Sequence, residues 1–367
     1  MEPGSASFCG SYRPTDVQFL LKPIDIDPID LVEKERLIQS GRRHYSEMLG
    51  RESLPSARYL EVFQQALAMG LRPMAQGVLD LAAIIAARRS AEITLVSLAR
   101  AGTPVGVALR HVLHEVFGRA PVHYSISIIR DRGIDRNALR FILERARRDP
   151  AGLVFVDGWT GKGVIARELR RALADLERDW GLSLDPDLYT LTDLAGVGVA
   201  PSDTDYLIPS SILNATVSGL VSRSILNEQI GPEDFHGCVY YHEFAHADRS
   251  VWFIEQLLED TRDLLAAGYM PNAQPVDPRR AQAHSRALLA RLRARFGIED
   301  ENRIKPGIGE ATRVLLRRVP DRVLLRDPED PQVAHLLELA REKGVCWQRD
   351  PSLPYHAVSL IKGVIHA

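Results

Sequence analysis

LVFVDGWTGKG, residues 153–163, reads as a short buried strand, an acid at its exit, a glycine-rich turn and the entry to a helix. Leu153, Val154, Phe155 and Val156 are apolar without alternation, the pattern of a strand covered on both faces. The helix VIARELRRALADLERDW follows at once. The turn is not an ATP-type phosphate loop. G-x-x-x-x-G-K-[ST] needs four residues between its glycines and a hydroxyl after the lysine. Here two residues separate Gly158 from Gly161, and Gly163 follows Lys162. What remains is a set of backbone N–H groups at a helix N-terminus, a setting for a phosphate monoester. Asp157 stands where an acid can take ribose hydroxyls. Gly158, Trp159, Thr160, Gly161, Lys162 and Gly163 are thus a candidate 5′-phosphate loop, suited to phosphoribosyl pyrophosphate better than to ATP.

Working outward, ITLVSLA (93–99) and VHYSISII (122–129) read as further strands, and LYTLTDLAG (188–196) as a fourth. Helical segments VALRHVLHEVFG and RNALRFILERAR alternate with them, which implies a parallel α/β sheet. Ala99, Arg100, Ala101, Gly102 and Thr103 form a second strand-to-helix turn able to cradle an anion. Two such turns at the carboxyl ends of neighbouring strands suit a ligand with a phosphate at each end. SIIRDRGID (127–135) is expected to be a mobile charged loop, whose Arg130 and Arg132 could close over pyrophosphate. Helices are expected over 28–49, 56–68 and 75–88 ahead of the sheet, with GRRHYSEM (41–48) at a helix end. Residues 201–226 read as loop and then a small-residue helix, whose Asn214, Thr216, Ser218, Ser222 and Arg223 suit a hood over an acceptor. A helix is expected at 250–268. Residues 268–280 contain three prolines and read as a linker, and an Arg-rich helix follows to about 296.

The bulk numbers fit a globular protein of more than one domain: 367 residues, 45% hydrophobic, 26% charged and a net charge of −2. The chain as a whole offers no charge argument for nucleic acid or membrane, and no apolar run of 18 residues stands out. Cys9, Cys238 and Cys346 are odd in number and far apart, which points to a reducing, cytoplasmic setting rather than a disulfide framework.

The large domain resembles the type I phosphoribosyltransferases, with FVDGWTGKG at the substrate loop and LARAGTPVG at the pyrophosphate loop. More narrowly, SFCGSYRPTDVQFLLKPI, IQSGRRHYSEM, HYSISIIRDRGID and LNATVSGLVSRSILN, with those two loops, resemble the StiP family of bacterial tellurium-resistance and stress gene clusters over roughly residues 7–265. That family carries two labels, predicted phosphoribosyltransferase and cysteine protease. The first implies Mg²⁺-dependent transfer of phosphoribosyl to a nitrogenous base. Asp157 and Arg100 would be catalytic, and Mg²⁺ would arrive with phosphoribosyl pyrophosphate rather than on a metal cage of the protein. Gly158 stands where the superfamily has a second acid, and only one of two usual threonines, Thr160, is present. A binder or sensor of nucleotide or RNA without turnover is therefore the alternative. The second label implies Cys9 as nucleophile, with His44 and His123 among the histidines that could serve it. HEFAH (242–246) matches the zinc motif H-E-x-x-H, but its flanks read as a strand-to-helix connection.

RIKPGIGEATRVLLRR (303–318), VLLRD and HLLELAREKGVCWQ resemble the pelota-type RNA-binding domain, which implies RNA contacts from Lys305, Gly307, Gly309, Glu310 and Arg313. Residues 302–367 hold 11 Lys/Arg and 8 Asp/Glu, a net +3 on a chain of net −2. The expected organisation is a phosphoribosyltransferase-like domain over 1–267, a linker and Arg-rich helix over 268–301 and a small pelota-like α/β domain over 302–367. The acceptor base, the RNA and the oligomeric state are left open.

Overall fold

The computed structural model describes residues 8–363; the first seven residues and the last four of the chain lie outside the described residues. Five parallel strands make the central sheet: β1 Gln18–Phe19, β2 Thr94–Leu98, β3 Val122–Ile126, β4 Leu153–Val156 and β5 Leu188–Tyr189, in the spatial order β1-β3-β2-β4-β5. The chain leaves β2 toward β3 and returns to the other side of β2 as β4. The turns after β2 and β4 therefore flank the point where strand order reverses, the usual ligand crevice of an open α/β sheet. These are the two candidate phosphate turns. They touch: a Cβ on Gly102 would collide with the Val156 carbonyl oxygen, so only glycine lets the turns close to this distance.

Helices cover both faces, among them α1 Leu31–Gln39, α2 Ala57–Arg88, α3 Gly102–Glu115, α4 Arg136–Arg140, α5 Val164–Trp180 and α6 Ser250–Ala266. Leu95, Val154 and Val156 of the sheet share one apolar cluster with α2, α3 and α6. Val96, Leu98, Ile126 and Phe155 share another with Leu139 of α4 and Leu169 and Leu173 of α5. The near-continuous apolar strands are explained by this double cover.

Several elements differ from expectation. Residues 28–49 are not one helix: α1 ends at Gln39, Gly41 takes φ +68°, and a single 3₁₀ turn spans Tyr45–Glu47. The two helices expected at 56–68 and 75–88 are one, α2, which runs through Pro73. A proline costs a helix one hydrogen bond and crowds the preceding turn; burial of Phe63, Met74, Leu79 and Ile84 outweighs it. By length and composition α2 could cross a membrane, yet most of its apolar window is buried inside this fold. The strand expected at 188–196 is split. Thr192–Asp193 leaves the sheet to pair with Trp159–Thr160. The small-residue helix expected within 201–226 is absent. Pro209–Ser211 and Ala215–Val217 are 3₁₀ turns, and Gly219 at φ +82° ends the second. The 127–135 segment is a small hairpin, Ile128–Ile129 against Gly133–Ile134.

The C-terminal unit is a four-stranded sheet of β6 Ile304–Pro306, β7 Pro320–Leu325, β8 Cys346–Arg349 and β9 Ala357–Ile361, in the order β6-β9-β7-β8. One face carries α7 Pro278–Phe296, whose Leu288 and Leu292 meet Ile304, Leu324 and Val358. The other carries α8 Ile308–Arg317 and α9 Ala334–Glu342, which bury Val323 and Leu325. This second layer is continuous with the core around α2, so the unit is packed onto the large domain. The proline-rich stretch is itself pinned: Tyr269 Oη and the Asn272 N–H donate to Asp80, and the Val276 N–H to the Ala200 carbonyl.

Candidate functional site: a cationic cavity roofed by the C-terminal unit

The expected 5′-phosphate loop is already filled. Asp157 is buried and accepts from the Gly158 N–H at 2.8 Å; burial pushes its carboxyl up to about 6, against the pull of Arg313. Thr160 donates to Asp193, and the Lys162 ammonium donates to the Glu301 carbonyl. Burial, then repulsion from Lys305, brings Lys162 down to about 7. Trp159 lies under the Arg313 guanidinium, 4.3 Å from ring centroid to Cζ. Gly309 presses on the same indole so closely that a Cβ would overlap it, and a Cβ on Gly161 would stand 2.9 Å from the Pro306 carbonyl. The N-terminus of α8 is sealed as well. Asp205 accepts from the Ile308 N–H and, through its other oxygen, from the His356 N–H, both at 2.9 Å. The protein thus places its own helix where a 5′-phosphate was expected to sit.

The open space lies next to this contact. A cavity of about 320 Å³ is bounded by α1, the 45–59 segment, Arg100, the 212–223 segment, α8 and the end of α9. Nine cationic side chains line it against three acidic ones: Lys34, Arg51, Arg100, Arg223, Lys305, Arg313, Arg317, Arg318 and Lys343 against Glu52, Glu310 and Glu342. None of residues 157–163 lines it. Arg51 and Lys343 are exposed and mark the mouth.

The acids are already engaged. Glu52 takes Arg100 at 2.7 Å and the Ala215 N–H at 2.6 Å. Arg100 also donates to the Val221 carbonyl, and its peptide bond to Ala99 is cis. Glu310 takes Arg313 at 2.7 Å. Glu35 takes Arg318 through both oxygens, at 2.8 and 2.7 Å. Among the described residues Arg223 and Arg317 have only neutral acceptors: the Tyr45, Met48 and Ser224 carbonyls for the first, the Asn214 amide oxygen for the second. Burial brings Arg223 down to about 10, and burial with repulsion from Arg100 and Arg313 holds Arg317 well below the usual guanidinium range. A surplus of cations around a partly desolvated space favours an anion between them.

The structure therefore brings together residues that the sequence assigned to different ligands. Arg100 of the second turn shares a cavity with Lys305, Glu310 and Arg313, the expected RNA contacts. Ala99, Ala101, Gly102 and Thr103 shape the turn without lining the cavity, and Gly307 and Gly309 pack against Leu194 and Trp159. Arg130 stacks on Tyr45 at 5.3 Å, its N–H donating to the Tyr45 hydroxyl, and Arg132 pairs with Glu47. Both are held in place behind the wall. Asn214 and Thr216 reach the cavity from irregular backbone. Lys34 and Glu52 carried no signal in the sequence.

The rival sites are not assembled among the described residues. The Cys9 thiol contacts only the Gly10 carbonyl, at 3.8 Å, and burial raises its pKa. His123 is bound to Ser97 and the Asp16 carbonyl, and His44 to Ser46. HEFAH forms an exposed 3₁₀ segment, and no three His, Cys, Asp or Glu side chains gather to hold a metal.

Fold and cavity define a two-part α/β protein, a parallel-sheet domain joined to a pelota-like unit with a cationic cavity at the junction. The chain belongs to the StiP family: the family described as "Tellurite-like stress resistance cysteine protease StiP" matches residues 10–258. A PELOTA RNA binding domain matches residues 283–363, a span that begins within α7. The protein named "Cysteine protease StiP" of Acinetobacter baylyi is 44% identical over 374 residues, covering 97% of this chain and 94% of that protein. No solved structure matches.

Proposed function

We propose that the cavity binds a small phosphate-rich anion of the phosphoribosyl pyrophosphate class, with Arg100, Arg223 and Arg317 taking its phosphates. The observation that carries this reading is the surplus of cations lining the cavity, Lys34 and Arg100 buried and Arg223 and Arg317 half-buried, the last two without a carboxylate partner among the described residues. The volume is at the small end of the 300–1,000 Å³ range of small-molecule pockets, roughly a ligand of that size. The reading favours binding over transfer. The acid needed for ribose hydroxyls, Asp157, faces the Gly158 N–H under the α8 roof. Mg²⁺ finds no cage here, because Glu52 and Glu310 are each held by an arginine; it fits only as a companion of the ligand's phosphates. Titration calorimetry with phosphoribosyl pyrophosphate and with inorganic pyrophosphate is the test. Binding that is lost in Arg317→Met supports the reading, and no heat with wild type ends it.

RNA is the second reading, favoured by the pelota match and the basic stretch before Val319. The protease named for the family and the relative would need Cys9 to gain a histidine and an orienting group, and among the described residues neither is within hydrogen-bond reach of its thiol.

A further inference from the structure

Lys34 stands apart from the other cations of the cavity. The chain has 40 arginines and only 6 lysines, yet three of the six, Lys34, Lys305 and Lys343, line this space. Lys305 faces Glu310 at 4.0 Å, and Lys343 is at the exposed mouth. Lys34 is 7% exposed, and its ammonium has no hydrogen bond or ion pair among the described residues. Its obvious partner, the adjacent Glu35, is taken bidentately by Arg318. Glu52 is taken by Arg100, and Glu342 accepts from Ser56. Around Lys34 stand Arg223, Arg317 and Arg318. A terminal amine that is desolvated and ringed by guanidinium groups sheds its proton readily; burial first, then these three arginines, bring it to about 7 against the weaker opposite pull of Glu35. The α1 helix that carries it is fixed at both sides, by Glu35 to Arg318 and by Gln39 to the Lys362 carbonyl.

A neutral amine beside phosphate-binding arginines is the arrangement of an imine-forming lysine. We propose that Lys34 is a carbonyl-reactive nucleophile and that the cavity accepts a phosphorylated aldose, whose phosphate is held by Arg223 and Arg317. The inference rests on the anion-binding reading. In the step, the Nζ lone pair attacks the aldehyde carbon and the carbonyl electron pair moves to oxygen. Oxygen takes a proton from nitrogen to give a carbinolamine. Departure of that oxygen as water leaves the C=N bond, so one amine and one aldehyde give one imine and one water.

The test uses the full chain, ribose 5-phosphate and sodium cyanoborohydride, which reduces any imine to a stable secondary amine, followed by peptide mapping by mass spectrometry. The expected result is an adduct at Lys34 ahead of the other five lysines. It is suppressed by inorganic pyrophosphate, weaker with unphosphorylated ribose, and lost in Lys34→Arg, whose fold is checked by thermal melting. Labelling that follows exposure, with Lys343 ahead of Lys34, overturns the proposal, as does labelling of Lys34 that pyrophosphate leaves unchanged. Pyrophosphate binding without any Lys34 adduct removes this inference alone. No pyrophosphate binding removes the anion reading with it.

Discussion

Asp157 and Arg100 are the residues on which the chemistry was expected to turn, and each has a separate energetic signature. The Asp157 carboxyl is fully enclosed and raised to about 6 from 3.8. A carboxyl whose folded value is raised binds its proton more tightly when folded. Its contribution to stability is complete below about pH 3.8 and is lost as pH rises through 6. Above pH 6 the ionised group costs on the order of 3 kcal/mol relative to that state. Asp157→Asn keeps an oxygen for the Gly158 N–H and removes the charge. It is expected to raise the urea midpoint at pH 8 and to leave it near wild type at pH 4. An equal change at both pH values would mean that the charge is not what burial penalises. Arg100 behaves oppositely. Arg100→Leu leaves Glu52 buried without a cation, a loss of about 3–5 kcal/mol. The melting temperature should fall, and Arg100→Leu with Glu52→Gln should recover most of the fall. A double variant no more stable than the single one would show that the pair does not carry the effect.

At the scale of elements, the readable parts were those set by local pattern. The strand-like stretches at 94–98 and 122–126 and the apolar run at 153–156 give β2, β3 and β4, and the periodic Leu169, Leu173 and Leu176 give α5. The unreadable parts were decided by distant packing. Pro73 marked a break in α2 that tertiary burial overrides, and residues 201–226, rich in small polar side chains, turn into 3₁₀ segments. The turn after β2 was expected to cradle an anion, and its Arg100 lines the cavity. The cavity itself was not legible. Besides Arg100, its cations come from α1, residue 51, Arg223, β6, α8 and the residues just after α8 and α9, segments as much as 309 positions apart from Lys34 to Lys343 with no shared periodicity. One tight joint between elements is Gly309 on Trp159. Gly309→Val would drive its side chain into the indole and force α8 off the 157–163 turn, a strain of about 1–3 kcal/mol for an overpacked site. Thermal melting should register the loss. A melt indistinguishable from wild type would mean that the roof yields without cost.

For the whole molecule, the same side chains serve as cavity wall and as the expected nucleic-acid face of the pelota-like unit. Lys305, Glu310 and Arg313 line the cavity, and the α8 N-terminus is capped by Asp205. RNA can reach this face only if the unit lifts from the large domain, and lifting it dismantles the cavity proposed to bind the anion. The two ligands should therefore exclude one another. Gly309→Val, which weakens docking, separates their responses in one protein. Its affinity for inorganic pyrophosphate is expected to fall, because Arg313, Arg317 and Arg318 move away from Arg100 and Arg223. Its affinity for a labelled single-stranded RNA is expected to rise, since less free energy is spent in opening the interface. Fluorescence polarisation at salt between about 50 and 200 mM gives the RNA arm, with the steep salt dependence that phosphate contacts impose. Adding pyrophosphate to wild type should displace the RNA. If RNA and pyrophosphate bind together, the α8 face is not shared and RNA uses another surface of the unit.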